Sequence, residues 1–218
     1  HGTSHRYVSS HYLQITGKDP KGTKIVVCHL GNGSSITAVK DGKCVDTTMG
    51  FTPLAGLMMG TRSGSIDPSV VTYLMKKENL TPDEMSNILN KKSGFLGVSG
   101  LSSDSRDLVD ASHEGNERAI LTCDMFRYQI KKTIGAYAAA MGGLDAVLLT
   151  GGENSDELRV DICEGMEFLG IELDPAKNIQ HVREDLRISK DGCKTEVWVI
   201  PTNEELAIAL DTVELINK

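Results

Sequence analysis

At 218 residues, with 39% hydrophobic and 24% charged residues, the chain has the composition of a globular protein that can bury a full core in one large or two small domains. With 30 acidic and 23 basic residues the net charge is −7, which argues against a broad nucleic-acid-binding face. No apolar run approaches the ~18 residues of a membrane span, and no signal peptide is expected.

The chain opens at His1 without Met, and its start, His-Gly-Thr-Ser-His, reads as the interior of a larger protein. A helix is expected over Arg6–Leu13, with Thr3 or Ser4 near its N-cap. His1 then lies beside a helix N-terminus, where anions are favoured, and its imidazole could donate to a phosphoryl oxygen. The alternative is an exposed terminal histidine or a tag remnant. The cysteines, Cys28, Cys44, Cys123, Cys163 and Cys193, are odd in number and widely spaced, with no Cys-x-x-Cys pair and no zinc spacing. They read as reduced thiols of a cytoplasmic protein.

The stretch from Lys24 to Thr48 organises the rest. Ile25, Val26 and Val27 predict one strand, Ile36, Ala38 and Val39 a second, and Cys44, Val45 and Thr47 a third. Gly31-Asn32-Gly33 and Asp41-Gly42 supply the two tight turns between them. The second turn is ordinary hairpin chemistry. The first is either a type I′ turn or a concave tip on which backbone N–H groups and the hydroxyls of Ser34 and Ser35 cradle an anion. A strand, a polar glycine hairpin and a strand, followed by further glycine-rich turns, is the layout by which actin-like and sugar-kinase-like ATPases hold nucleotide phosphates.

From Met49 to Pro68 the chain holds too many glycines and prolines for a long element, yet it is too apolar for a solvated linker, so an ordered loop packed on the core is expected. Arg62 is its strong cation, suited either to bidentate contact with phosphate or carboxylate, or to a structural pair with Asp46 or Asp67. Helices follow from Pro68 to about Lys77, with Val71, Leu74 and Met75 on one face, and from Pro82 to about Lys91 behind a Thr81 capping box. Ser93–Leu101 reads as a small-residue loop, after which Ser102 or Ser103 caps a turn carrying Asp104 and Arg106. A long helix is expected from Asn116 to Met141, stopped by Gly142-Gly143. Ala146–Leu149 reads as a central strand, followed by the glycine loop Gly151-Gly152 and a helix near Ser155, a second candidate phosphate contact. The pattern closes with a helix holding Asp161–Phe168, an irregular stretch from Asp174 to Lys194, a strand over Val197–Ile200, and a helix opened by Thr202-Asn203-Glu204-Glu205. Glu204 and Glu205 either complement the helix dipole or hold a magnesium ion.

Several motifs occur in one order across nearly the whole chain: His1-Gly-Thr-Ser-His5, His29-Leu-Gly-Asn-Gly-Ser-Ser35, Asp46-Thr-Thr-Met-Gly-Phe-Thr-Pro-Leu54 leading into Met59-Gly-Thr-Arg-Ser-Gly64, Gly100-Leu-Ser-Ser-Asp104 with Arg106-Asp107, and Ile200-Pro-Thr-Asn-Glu-Glu205. Together they resemble the acetate kinase family. The resemblance implies an α/β, actin-like ATPase (ribonuclease H-like) domain with a mixed sheet flanked by helices. It implies transfer of the ATP γ-phosphoryl group to acetate, giving acetyl phosphate and ADP with Mg²⁺, by direct attack of the substrate carboxylate. His1 corresponds to the histidine that stabilises the phosphoryl group in flight, and Arg62 to an arginine at the acyl and phosphoryl site. Asn32 and Gly33, in the motif with His29 and Gly31, match the hairpin at the nucleotide phosphates. Asp104, Ser105 and Arg106 match the segment beside the adenosine, Gly152 and Asn154 the loop under it, and Glu204 the acid near the metal.

Family members are roughly twice this long, so residues 1–218 are expected to be the C-terminal domain. The N-terminal domain would contribute a further arginine, histidine, aspartate and asparagine to the site. The loop Thr150–Asn154 also lacks two residues, Ile-Gly, that the family carries between the second glycine and the glutamate. Either the loop is shortened, which would disturb the adenosine pocket, or two disordered residues are left out of the sequence. The expected partners are small molecules only, with no nucleic acid and no membrane, and a homodimer is expected through the long helix and the Phe51–Met59 loop. Two other readings remain open: a propionate kinase, and a nucleotide-binding module that lacks turnover because half the site is missing.

Overall fold

The computed structural model describes residues 1–152, 155–179 and 182–217. In chain order the elements are α1 (Gly2–Thr16), β1 (Lys24–His29), β2 (Ser35–Lys40), β3 (Lys43–Thr47), α2 (Pro68–Lys77), α3 (Pro82–Lys91), α4 (Gly94–Ser99), α5 (Ser105–His113), α6 (Glu117–Met141), β4 (Ala146–Thr150), α7 (Asp156–Cys163), β5 (Leu186–Arg187), β6 (Glu196–Val199) and α8 (Glu204–Ile216). The chain divides into two compact units, one of His1–Leu30, Ser35–Thr47 and Lys131–Lys218, the other of Gly31–Ser34 and Thr48–Ile130.

All six strands belong to the first unit and form one sheet in the order β3-β2-β1-β4-β6-β5. The β-branched run of β1 is buried from Ile25 to Cys28, because the strand pairs antiparallel with β2 on one side and parallel with β4 on the other. β4 pairs parallel with β6, which takes β5 antiparallel at the edge. An antiparallel meander extended by parallel strands, with α1 packed on it, is the mixed sheet expected of an actin-like ATPase domain.

Val8 and Tyr12 of α1, one helical turn apart, pack with Ile25, Val27, Ala146, Leu148 and Ile200 in a core cluster. Burying each such aliphatic side chain contributes about 1.5–3 kcal/mol. Two-residue periodicity puts Ile25, Val27 and His29 on one face of β1, and helical periodicity puts Ser4, His5, Val8 and Tyr12 on one face of α1. The packing that seats the helix therefore carries its first turn to the end of β1.

The second unit is built from α2 to α5, the first half of α6 and long connections. Thr81 and Glu84 form the expected capping box, with Thr81 N–H donating to Glu84 Oε2 at 2.8 Å and Glu84 N–H to Thr81 Oγ1 at 3.3 Å. Val71, Leu74 and Met75 share a half-buried face of α2. No helix or strand forms between Thr47 and Pro68, and the buried Leu57, Met58 and Met59 anchor that stretch, so the ordered loop is as expected.

Four expectations need correction. The first helix starts at Gly2 rather than Arg6, with His1 as its N-cap; Ser4 lies inside it because its hydroxyl bonds His29 Nδ1 at 2.8 Å instead of capping. Ser93–Leu101 contains a helix, α4, whose first N–H groups, Phe95 and Leu96, donate to the carbonyls of Met59 and Gly60 at 2.8 and 3.0 Å. Asp104, not Ser102 or Ser103, caps α5, accepting from Arg106 N–H at 2.9 Å. The helix expected to hold Asp161–Phe168 ends at Cys163, and the chain turns through Gly165 at φ 72° before a short 3₁₀ turn over Glu167–Leu169. Among the described residues no helix is long and apolar enough to cross a membrane.

Candidate functional site

In the first unit, three histidines and two serines meet where α1 begins and β1 ends. The β1–β2 register sets His29 directly opposite Ser35, so both side chains stand on the same side of the sheet. His1 Nδ1 and His5 Nε2 both lie 2.7 Å from Ser35 Oγ, and Ser4 Oγ lies 2.8 Å from His29 Nδ1. The rings of His1 and His29 are 4.3 Å apart between centroids, while His5 stands 6.2 and 6.3 Å from them. Burial, and after it the repulsion that a protonated His29 would add, pushes the His5 imidazole down to about 3, and burial lowers His29 as well. Both rings are therefore neutral near pH 7, and His1, which is exposed, presents its Nε2 without a partner among the described residues. The chemistry on offer is directional hydrogen bonding to an anion.

The carboxyl ends of the parallel strands lie in the same unit. Leu30 N–H donates to Thr150 O at 2.8 Å, and Gly151, at φ 98°, passes so close to Leu30 that a Cβ would stand 2.1 Å from its carbonyl oxygen. The glycine is required by that close approach, and Gly152 beyond it is exposed. Asn154 lies outside the described residues. Two hydroxyls here were not singled out from the sequence: Thr150 Oγ1 at the end of β4 and Thr202 Oγ1 just past β6 are buried with no partner among the described residues. A polar residue closing an apolar strand was the available signal. Glu204 is exposed at the first turn of α8, which Asn203 caps by accepting from Leu206 N–H at 2.9 Å. Among the described residues no group of three or more potential metal ligands forms.

The second unit brings together three of the sequence motifs. Ser34 Oγ takes the Gly31 N–H at 3.3 Å and returns its own hydrogen to Gly31 O at 2.9 Å, while the N–H groups of Asn32 and Gly33 have no partner among the described residues. None of Gly31, Asn32 and Gly33 takes a positive φ, so the tip is not a type I′ turn. Nor does it carry two free hydroxyls, since Ser34 is tied to Gly31 and Ser35 to the histidines. Gly60 N–H approaches Asn32 O at 3.4 Å, and a Cβ on Gly60 would stand 2.8 Å from Ser103 O. Hairpin tip, glycine loop and the segment before α5 thus share one place.

Asp104 and Arg106 form a two-pronged pair, Nε to Oδ1 at 3.0 Å and Nη2 to Oδ2 at 2.6 Å. Those bonds, with the Arg106 N–H, hold the Asp104 carboxyl at about 2. Ser105 opens the helix behind them. Arg62 is half-buried and pairs with neither Asp46 nor Asp67 among the described residues. Its Nη1 donates to Pro53 O at 3.0 Å and touches Met59 Sδ at 3.4 Å, which steadies the side chain without neutralising it.

Comparisons with known proteins agree in kind. The model of the acetokinase family matches residues 1–210. An acetate kinase of Phocaeicola vulgatus is 58% identical over 221 residues, which take in 100% of this chain and 55% of that protein. The crystal structure of Porphyromonas gingivalis acetate kinase superposes with a TM-score of 0.95 at 51% identity, covering 99% of this chain and 55% of its own. That of a propionate kinase from Francisella tularensis gives 0.86 at 41% identity, covering 96% and 53%. The chain spans about half the length of the relatives it matches.

Proposed function

Because the chain belongs to the acetokinase family, we propose that it is the nucleotide-binding half of an acetate kinase, a phosphotransferase that moves the γ-phosphoryl group of ATP onto acetate to give acetyl phosphate and ADP. The observation that carries this reading is the family match over residues 1–210. An acetate oxygen attacks the γ-phosphorus, the bond to the β–γ bridging oxygen breaks, and ADP leaves with that electron pair. Such a transfer asks the protein for positioning and for donors around a charge-dispersed phosphoryl group, and for no protein nucleophile.

His1 is assigned to donate a hydrogen bond to the phosphoryl oxygens, and Arg62 is assigned the role of the arginine at the acyl and phosphoryl site. The free N–H groups of Asn32 and Gly33, with His29 and Gly31 in the same motif, are assigned to the nucleotide phosphates. Asp104, Ser105 and Arg106 of the second unit are assigned to the adenosine, and so are Gly152 and Asn154 of the first. Glu204 fits a role toward Mg²⁺, since it is an exposed carboxylate and this ion takes one or two of those, completing its shell with phosphate oxygens and water. When bound, the ion would neutralise phosphate charge.

The half-length coverage favours a subsidiary reading for residues 1–218 alone, a nucleotide-binding module without turnover. The likeness to a propionate kinase keeps propionate as a second acceptor. A cytoplasmic setting is supported by five free cysteines, and a homodimer by the exposed Phe51, Leu121 and Tyr128.

Hydroxamate trapping of acyl phosphate, run with acetate and with propionate, tests the reading. The full-length protein is expected to turn over with Mg²⁺ and ATP, whereas residues 1–218 should bind ADP weakly by calorimetry and make essentially no product. Turnover of the isolated chain within about tenfold of the full-length protein would overturn the division of labour, because an incomplete, water-exposed cleft loses far more than that.

A further inference from the structure

Ser35 Oγ lies 2.7 Å from two imidazole nitrogens, and a hydroxyl has only one hydrogen. It can donate to one ring and must accept from the other. With His5 neutral, each arrangement fixes every proton in the chain of three groups. If His5 carries its proton on Nε2, it donates to Ser35, Ser35 donates to His1 Nδ1, and His1 is left with its proton on Nε2. If His5 carries its proton on Nδ1, the order reverses, and a neutral His1 ends with a bare Nε2 that can donate nothing.

The surroundings of His5 choose between the two. Its Nδ1 is buried and has no partner among the described residues, and the whole residue is 5% exposed. A proton there would be a buried, unpaired N–H, the kind of orphan that native structures avoid more strictly than an under-used acceptor. Free neutral histidine also favours the Nε2–H form. We propose that Ser35 and His5 are positioning residues of the phosphoryl site: His5 Nε2–H donates to Ser35, and Ser35 O–H donates to His1 Nδ1, locking His1 as an Nε2–H donor. The role of that donor rests on the assignment of His1 to the phosphoryl group; the relay itself rests on the bonds.

The fold makes the relay possible by three independent placements. His1 and His5 are one turn apart on α1, the burial of Val8 and Tyr12 orients that face, and Ser35 begins β2 opposite the end of β1. Ser35 is itself 1% exposed, so water does not compete for its hydroxyl. A serine here differs from an alanine by the one atom that sets the direction of a donor on His1.

The experiment uses the full-length protein with ¹⁵N-labelled histidine, read by imidazole correlation spectra at neutral pH, with His1 assigned from its loss in His1→Gln. Wild type is expected to show the Nε2–H tautomer at His1, and Ser35→Ala a mixture of tautomers with unchanged circular dichroism. In turnover, Ser35→Ala should lower kcat about tenfold with KM for both substrates within about twofold, as for a misplaced donor. Combined with His1→Ala it should add nothing further. His5→Gln, whose amide can donate from near the Nε2 position, should hold kcat within about threefold, and His5→Leu should not. An Nδ1–H signal at His1 in wild type, or an Nε2–H signal unmoved by Ser35→Ala, would overturn the relay. If instead His1→Ala leaves kcat unchanged while the spectra behave as stated, the relay stands and the assignment of His1 to the phosphoryl group falls.

Discussion

The two glycine-bearing connections of the β1–β2–β3 meander look alike in sequence and differ in kind. Between β2 and β3, Asp41 at φ 54° and Gly42 at φ 72° close a two-residue type I′ turn, and the flanking Lys40 and Lys43 pair across it. Between β1 and β2, Gly31-Asn32-Gly33 uses no left-handed backbone, and two of its N–H groups have no partner among the described residues. Glycine at position 42 meets a conformational demand that the hairpin itself makes. At Gly31 and Gly33 it keeps bulk and side-chain competition away from amides that have no partner among the described residues. Substitutions should accordingly separate, with stability changing at one turn and ligand binding or turnover around the other.

The largest effect should appear beside the Asn32 loop. Among the described residues Arg62 is not paired with Asp46 or Asp67, and its hydrogen bonds are local, to Pro53 O and Met59 Sδ. Arg62→Ala in the full-length protein is expected to lower kcat on the order of a hundredfold or more while ADP affinity changes little, as for a group that engages charge mainly in the transition state. Equal losses in both would place Arg62 on the nucleotide. Asn32→Ala should weaken ADP binding by calorimetry while thermal stability stays within about 0.5 kcal/mol, the range of an exposed position.

Gly42→Val gives the converse. A β-branched residue at φ 72° is strained by about 1–2 kcal/mol, and its Cβ would meet Pro20 Cβ at 3.0 Å. Differential scanning should show Tm lower by about 2–8 °C for a chain of this size, with kcat unchanged. A Gly42 variant that loses turnover at full stability would erase the contrast between the turns.

How far the sequence discloses each region follows from where the forces lie. Strands β1 and β4 are legible because their apolar runs are self-contained, and α3 because Thr81, Pro82 and Glu84 carry its start within four residues. Helix α4 is hidden because the groups that satisfy its first turn are backbone carbonyls of Met59 and Gly60, which no local pattern announces. At the site, His1, Ser4, His5, His29 and Ser35 are all visible as motif members, yet the bonds joining them span 25 to 34 residues. Only the strand register and the buried face of α1 bring them into reach. The turn at Gly31–Gly33 is misjudged for a related reason: the two hydroxyls that follow it are already engaged, Ser34 by Gly31 and Ser35 by the histidines.

The smallest effect concerns Asp104, in the segment whose Ser103 carbonyl lies against Gly60. Its carboxylate both caps α5 and holds the Arg106 guanidinium, and it sits at about 2, below an ordinary aspartate at 3.8, chiefly through the side-chain bonds from Arg106 and then the backbone bond. A depressed folded-state value means that the stabilisation is fully present above pH ~4 and is lost as pH falls toward 2. The pair is exposed, with side-chain exposures of 37% for Asp104 and 87% for Arg106, so screening by solvent limits its contribution to roughly 0.5 kcal/mol. Asp104→Asn keeps a capping oxygen and removes the charge, which isolates that small term from the larger cost, about 1 kcal/mol, of losing the cap altogether in Asp104→Ala. Urea unfolding should therefore find Asp104→Asn weaker than wild type by a few tenths of a kcal/mol at pH 7 and equal to it near pH 2, with Asp104→Ala weaker at both. A gap between wild type and Asp104→Asn that persists at pH 2 would mean that the carboxylate matters through packing and not through its charge. An ADP affinity that Asp104→Asn leaves unchanged would move this segment from the Asn32 side of the comparison, where its assignment to the adenosine puts it, to the Asp41–Gly42 side.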